Sequence, residues 1–258
     1  MTTDPWSNLR QFTDARIGLG RSGAAMPTRE VLNFALSHAM ARDAVTTPLD
    51  WTPIEKGLQE LGLETLRIKS ASHDRSEYLR RPDLGRRLSA DSREDLQRAS
   101  EKASSKPDLI VLIGDGLSSM GVAANIVPMM SAFLGHVRQS GWTLGPLLLA
   151  DDARVALGDE AGEILGAKAV LVLIGERPGL SSPDSLGAYL TFGPRVGLKD
   201  ADRNCISNIR QRGLSYDEAA FKAAWLLREA IRRGLSGVNL KDESQFLIEG
   251  RKGPELIK

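Results

Sequence analysis

The sequence predicts an α/β fold in which a parallel sheet is flanked by helices and preceded by a mostly helical N-terminal extension. Short, almost continuous apolar runs occur at 108–113, 144–150 and 168–174, as in strands that are covered on both faces. A segment with helical apolar spacing, 120–139, separates the first two runs. Because alternating strands and helices favour parallel pairing, we expect the three runs to be neighbours in one sheet.

Composition excludes several classes of protein. The chain has 258 residues, of which 41% are hydrophobic and 26% charged, as in ordinary soluble domains. The net charge of +1 and the aromatic content of 5% argue against a nucleic-acid partner or an acidic membrane surface. One cysteine excludes an internal disulfide and a cysteine-based zinc site. With no secretory signal and no apolar run of about 20 residues, we expect a cytoplasmic protein without a membrane span.

Further elements follow from local patterns. Apolar residues at helical spacing predict a helix over 28–44, and proline and glycine mark the start and the end of a short helix over 54–61. Alternation predicts a strand over 65–69, and the basic segment 78–88 reads as a loop before a helix over 89–103. An amphipathic helix over 216–233 ends at Gly234.

These elements divide the chain into three regions. Residues 1–105 form a helical and mixed region that we expect to pack on the core and on a partner subunit. Residues 106–240 form the sheet-containing domain. Residues 241–258 carry many charges and are predicted to be a mobile tail.

Two loops follow predicted strands at the carboxyl edge of the sheet, where open α/β sheets bind ligands. The first, 114–119, has two glycines and then Ser119 in place of a third, so a tight turn and an anion-binding loop remain comparable interpretations. Its Asp115 suits a hydroxyl or amide ligand better than an anion. The second contains Glu176 and Arg177, which form either a surface ion pair or a ligand contact through the carboxylate.

The other reactive residue types give weaker signals. Cys205 has no histidine near it in the sequence, and a lone cysteine is usually a small buried hydrophobic residue. The basic segment 80–87 favours a solvated surface or a subunit contact over a phosphate site. Because hydrolase, nucleotide-binding and metal motifs are lacking, we assign no catalytic residue and no metal ligand, and we expect the chain alone to be inactive.

Seven sequence blocks occur in an order that resembles the small (light) subunit of ethanolamine ammonia-lyase. They are G-R-S-G (20–23), P-T-R (27–29), Y-L-R-R-P-D-L-G-R-R-L (78–88), D-G-L-S (115–118), G-E-I-L-G-A-K (162–168), G-E-R-P-G-L (175–180) and D-R-N-C-I-S-N-I (202–209). The similarity covers about residues 21–239. Seven blocks in one order are far more specific than any single glycine loop.

The resemblance implies a Rossmann-like domain that binds adenosylcobalamin, a cobalt cofactor, together with a larger barrel subunit. It implies cofactor contacts from Val155 in the pair Arg154-Val155, from Glu176 and from Cys205. The implied reaction is the radical conversion of ethanolamine to acetaldehyde and ammonia, with ethanolamine bound mainly by the large subunit and activity only in its presence. About twenty residues precede Gly20, fewer than in members delivered to a microcompartment, so a free cytoplasmic enzyme is expected.

Two other functions remain open from the sequence. The chain could be a Rossmann-like module that binds a nucleotide and has no lyase activity. In that case the isolated chain would bind NAD or a mononucleotide without a partner subunit. It could also be a purely structural subunit, in which case substitution of Glu176 would leave cofactor affinity unchanged.

Overall fold

A computed structural model describes residues 5–244 of the chain. The helices are α1 (Thr28–Thr46), α2 (Thr52–Glu60), α3 (Arg75–Arg80), α4 (Ala90–Lys102), α5 (Ser119–Ser140), α6 (Leu157–Leu165) and α7 (Tyr216–Arg233). The strands are β1 (Thr65–Lys69), β2 (Leu109–Gly114), β3 (Leu144–Asp151), β4 (Ala169–Gly175), β5 (Leu186–Phe192) and β6 (Arg203–Ile209). Short 3-10 helices occupy Pro5–Phe12, Leu84–Arg86, Asp200–Asp202 and Gly237–Asn239.

All six strands form one sheet in the order β1-β3-β2-β4-β5-β6. The three predicted core strands, now β2, β3 and β4, are parallel neighbours, which confirms that prediction. Strand β1, from the N-terminal region, extends the same sheet by pairing in parallel with β3. Every residue of β2 and of β4 is buried, as their continuous apolar composition requires.

The predicted α/β class, a mostly parallel sheet flanked by helices, is confirmed, but the sheet is mixed and so is not purely Rossmann-like. Strand β5 pairs antiparallel with β4, and β6 pairs antiparallel with β5. The connections 176–185 and 193–202 contain no α-helix. A parallel connection needs a crossover, usually through a helix, whereas a short loop returns the chain antiparallel. The sheet is therefore mixed, with four parallel strands followed by two antiparallel ones.

Helices cover the sheet on both faces. Helices α2, α5 and α7 bury the larger core on one face, and α4 and α6 bury a second core on the other. Helix α5 is long and apolar enough to span a membrane by composition, but half of that apolar stretch is buried inside the protein. The predicted helices over 28–44, 89–103, 120–139 and 216–233 are confirmed to within a few residues. The segment 78–88 is not simply a loop, because α3 and a 3-10 helix occupy part of it.

Helix α1 is the least covered of the α-helices that the structure describes. Only Ala44 near its C-terminal end is buried, while Leu32 and Leu36 are 63% and 61% exposed. Phe34, which the helical pattern placed on an apolar face, is also exposed. That face therefore does not pack on the domain. From residue 245 onward, the predicted tail over 241–258 lies outside the described residues.

Candidate functional site

The order of the strands reverses between β2 and β4, since the chain passes from β2 to β3 on one side and returns to β4 on the other. We call the space between the carboxyl ends of β2 and β4 the switch-point crevice; it is where open α/β sheets usually bind nucleotides. Here it is closed by protein. The amide of Leu117 donates to the carbonyl oxygen of Gly175 at 2.9 Å. A Cβ on Gly175 would clash with the carbonyl oxygens of Asp115 and Ser118.

The N-terminus of α5, which opens into the crevice, is also covered. The Ser118 hydroxyl accepts from the amide of Gly121 at 2.9 Å and donates to the carbonyl of Pro183 at 2.7 Å. Asn125 donates to the carbonyl of Asp184, and a Cβ on Gly121 would clash with the carbonyl of Ser185. These contacts leave no room for a phosphate. Of the two interpretations of the 114–119 loop, the structure supports the tight turn.

Asp115 is buried and does not face a ligand, so the expectation that it suits a polar ligand is wrong for this structure. Its carboxylate accepts from Arg75 at 2.8 Å and from the amide of Ala153 at 3.0 Å. Burial raises the pKa of Asp115 to about 7, while the nearby Arg75 guanidinium acts in the opposite direction. The carboxylate is part of the protein interior.

A second surface lies beside the crevice, over the antiparallel strands. On the side of α4 and α6, β5 presents Tyr189, and β6 presents Cys205 and Ser207; we call this surface the open face. Tyr189 is half-buried, whereas Cys205 and Ser207 are exposed, and the Cys205 and Ser207 side chains are 3.2 Å apart. Cys205 lies directly opposite Tyr189 in the strand register. The expectation that Cys205 is a buried core residue is therefore wrong.

Glu176 lies at the edge of the open face. It follows β4 at the carboxyl end of the sheet, where the sequence analysis placed it. One carboxylate oxygen accepts from the amide of Asn208 at 3.0 Å, which ties the loop after β4 to β6. Asn208 has a left-handed backbone with φ of 61°, which asparagine tolerates better than most residues. Among the described residues, no donor is hydrogen-bonded to the second carboxylate oxygen of Glu176.

Val155 lies at the opposite edge of the open face, in the segment that joins β3 to α6. It lines a cavity of about 410 Å³ together with Tyr189, Arg86 and Arg154. Glu176 lines a second cavity, of about 690 Å³, together with Tyr189 and Arg177. Because Tyr189 belongs to both cavities, the fold brings Val155, Glu176 and Cys205 around one aromatic ring.

Tyr189 is the residue that the sequence analysis missed. Burial raises the pKa of its hydroxyl, and the neighbouring Cys205 and Glu176 raise it further, so the ring keeps its proton at neutral pH. The signal available in the sequence was alternation over 186–192, with Leu186, Ala188 and Leu190 on the buried face. Gly187 and Thr191 interrupt the apolar run and obscure the strand.

The cavity beside Val155 is mainly basic. Arg203 is buried in an ion pair with Asp159 at 2.9 Å, and burial raises the pKa of Asp159 to about 6. The Arg154 Nε is buried without a hydrogen-bond partner among the described residues. Orphaned buried donors are costly, so the chain itself satisfies this guanidinium only in part.

Comparison with known proteins identifies the family. The model of the ethanolamine ammonia-lyase light chain (EutC) matches residues 3–241. The chain belongs to this family. The ethanolamine ammonia-lyase small subunit of Pseudomonas fluorescens SBW25 is 50% identical over 258 residues, covering 99% of this chain and 92% of that protein. The small subunits of Azotobacter vinelandii (50%, covering 95% and 90%) and Pseudomonas aeruginosa UCBPP-PA14 (51%, covering 96% and 91%) are similarly close.

The open face of this light chain offers mixed chemistry. It combines a carboxylate, a phenol, a thiol and a hydroxyl with the apolar ring of Tyr189 and the side chain of Val155. Such a surface can accept and donate hydrogen bonds to amides while an apolar body lies against the ring. Among the described residues of the open face, no nucleophile is paired with a base.

Proposed function

We propose that this light chain is the small subunit of an ethanolamine ammonia-lyase and that its open face holds one side of adenosylcobalamin. The observation that carries the proposal is the convergence of Val155, Glu176 and Cys205 around Tyr189, although they are far apart in the sequence. The chemistry that adenosylcobalamin supplies when bound is homolysis of its Co–C bond, which starts the conversion of ethanolamine to acetaldehyde and ammonia. The substrate binds mainly to the large subunit.

The residues present fit this cofactor. Its periphery carries amide side chains, which can donate to the second carboxylate oxygen of Glu176 and accept from the guanidinium of Arg154, which lines the cavity beside Val155. Two adjoining cavities that share Tyr189 suit a ligand larger than a mononucleotide. The chain's own residues bind and orient the cofactor. Neither proton transfer nor nucleophilic attack is assigned to them.

The rival function, a nucleotide-binding module, has less support. Its usual site is the switch-point crevice, which is closed by the contact between Leu117 and Gly175 and by the covered N-terminus of α5. The antiparallel β5 and β6 also replace the second half of a dinucleotide-binding sheet. A nucleotide would have to displace protein contacts before it could bind there.

The large subunit is proposed to cover α1 and the N-terminal segment before it. Leu32 and Leu36, four residues apart on one face of α1, are exposed, and exposed apolar surface of this kind marks protein interaction sites. Helix α1 is connected to the loop after Glu176 through its Phe34 side, because Arg16 stacks on Phe34 and donates to the carbonyl of Leu180 in that loop. A partner on α1 would therefore lie next to the proposed cofactor.

The proposal is tested by cofactor affinity in the assembled enzyme. The chain is co-expressed with its large subunit, and adenosylcobalamin binding is followed by absorbance in the parent and in Glu176→Gln and Glu176→Ala. Losing a hydrogen bond to a charged group costs about 1.5–3 kcal/mol, so Glu176→Ala should weaken binding about ten- to a hundredfold. Glu176→Gln keeps one acceptor and should weaken it less.

Glu163→Ala is the matched control. Like Glu176, Glu163 accepts a backbone amide, that of Val196 at 2.8 Å, but it does not line either cavity. It should therefore lose comparable stability and leave cofactor affinity unchanged. Equal affinities in the parent and in both Glu176 variants would leave Glu176 as a loop residue only, and a parent assembly that binds no cobalamin would contradict the proposal altogether.

A further inference from the structure

Three successive backbone groups just before Val155 are held by other parts of the chain. The amide of Ala153 donates to Asp115 at 3.0 Å, and the Ala153 carbonyl accepts from the Tyr78 hydroxyl at 2.9 Å. The amide of Arg154 donates to the carbonyl of Gly85 at 2.8 Å. Each of these partners comes from a different element, so the segment is fixed from several sides.

The start of this segment has an unfavourable backbone conformation. Asp152 has φ of 54°, in the left-handed region that residues other than glycine seldom adopt. Such conformations persist when the surroundings fix them. Arg75 supplies one such constraint, because its guanidinium lies 3.5 Å from the Asp152 carboxylate and 2.8 Å from that of Asp115.

Tyr78 lies at the centre of the cluster and is fully buried. The guanidinium carbons of Arg75 and Arg154 lie 4.8 Å and 4.6 Å from the centroid of its ring, within the range of cation–π contact. The Tyr78 ring therefore contacts two arginines: Arg75, which pairs with the buried acids, and Arg154, which lines the cavity beside Val155. Neither the glycine-loop interpretation of Asp115 nor the basic-loop interpretation of 78–88 anticipated this link.

We infer that Arg75, Tyr78 and Asp115 form a clamp on residues 152–155 and that Tyr78 is a positioning residue for Arg154 and Val155 at the open face. This inference rests on the proposed function for its consequence at the cofactor. The clamp itself is a property of this chain. It explains why the block 78–88, whose Arg86 also lines the cavity beside Val155, belongs to the same functional unit.

The test measures the segment and the cofactor separately in the chain assembled with its large subunit. Hydrogen exchange of the peptide containing residues 152–156 is measured without cofactor, and adenosylcobalamin affinity is measured by absorbance. Tyr78→Phe removes the hydroxyl but keeps the ring, and should speed exchange and weaken binding about two- to tenfold. Tyr78→Leu removes the ring as well and should change the exchange rate and the cofactor affinity by more than about tenfold. Tyr78→Phe, which keeps the ring, should therefore lie between Tyr78→Leu and the parent.

Tyr216→Phe is the matched control, because its hydroxyl donates to Asn125 at 2.8 Å on the other side of the sheet. It should leave exchange at 152–156 and cofactor affinity unchanged. Unchanged exchange in both Tyr78 variants would overturn the clamp. Faster exchange with unchanged affinity would overturn the positioning role, and it would do so independently of Glu176. If the parent binds no cobalamin, the proposed function fails, while the exchange data still decide whether the clamp exists.

Discussion

The switch-point crevice and the open face lie side by side on one sheet and differ in what fills them. In the crevice, the backbone of Leu117 is hydrogen-bonded to that of Gly175, and segment 183–185 covers the N-terminus of α5. On the open face, strand side chains are partly or wholly exposed, and two cavities meet at Tyr189. The glycines of the first surface serve close packing, whereas the second surface has the chemistry to bind a ligand. A glycine-rich loop after a strand is therefore insufficient evidence for a ligand site.

The largest effect is expected on the exposed leucine face of α1. Leu32→Glu combined with Leu36→Glu places two charges on one exposed stripe of the helix, since residues four apart share a face. If the large subunit buries this stripe, assembly should weaken about a hundredfold or more, because each leucine loses about 1.5–3 kcal/mol of burial. Assembly is measured by sedimentation of the mixed subunits.

Val238→Glu is the control for this prediction. Val238 is 73% exposed and lies near the end of the described chain, away from α1. It should leave assembly unchanged. If the double variant assembles as tightly as Val238→Glu, the stripe on α1 remains free in the complex and the partner binds elsewhere.

The closed state of the crevice predicts opposite effects for two glycines of one helix. A Cβ at Gly121 would clash with the carbonyl of Ser185, whereas a Cβ at Gly135 meets nothing within 4 Å. Gly121→Ala should therefore lower the free energy of unfolding by about 1–3 kcal/mol. Gly135→Ala should raise it by about 0.5–1 kcal/mol, because alanine favours helix over glycine. Denaturant unfolding of the two variants checks this, and a neutral Gly121→Ala would mean that the crevice can open.

Some of this architecture could be predicted from the sequence, and the missed parts share a physical reason. Strands β2, β3 and β4 were predicted because they are buried on both faces and are therefore apolar throughout. Strands β5 and β6 were missed because one face of each is exposed or carries Gly187, Tyr189 and Cys205, which break the apolar run. The surface proposed to bind the cofactor is therefore formed by the two strands that the hydrophobic pattern did not predict.

The same contrast holds for single residues. Glu176 was selected by its position after a strand, and the structure places it at that edge. Val155 followed only from the resemblance, because a lone valine between a strand and a helix carries no local signal. Asp115 was expected to suit a hydroxyl or amide ligand, but α3 and the segment after β3 bury it, and these contacts are distant in sequence.

A pH-dependent effect is expected from the titration of Asp115 in the crevice. Arg75, Asp152 and Tyr78 face its carboxyl, and burial raises its pKa from 3.8 to about 7. The folded chain then keeps a proton that the unfolded chain releases between these values, so this carboxyl lowers stability as the pH rises from about 4 to about 7. Relative to Asp115→Asn, the parent should lose up to about 1.4 kcal/mol per pH unit in this window. If the unfolding free energies of the parent and of Asp115→Asn change equally with pH, this prediction is wrong.

The most direct test of the central claim uses Cys205, the one cysteine of the chain, as a reporter of the open face. The assembled enzyme is treated with a thiol-alkylating reagent with and without adenosylcobalamin, and modification is measured on the peptide that carries Cys205. A Cys205→Ser chain with Ser131→Cys, an exposed position on α5, gives the control rate. We predict that the cofactor protects Cys205 and leaves the cysteine at position 131 reactive. Equal modification of Cys205 with and without cofactor would contradict a cofactor site on the open face.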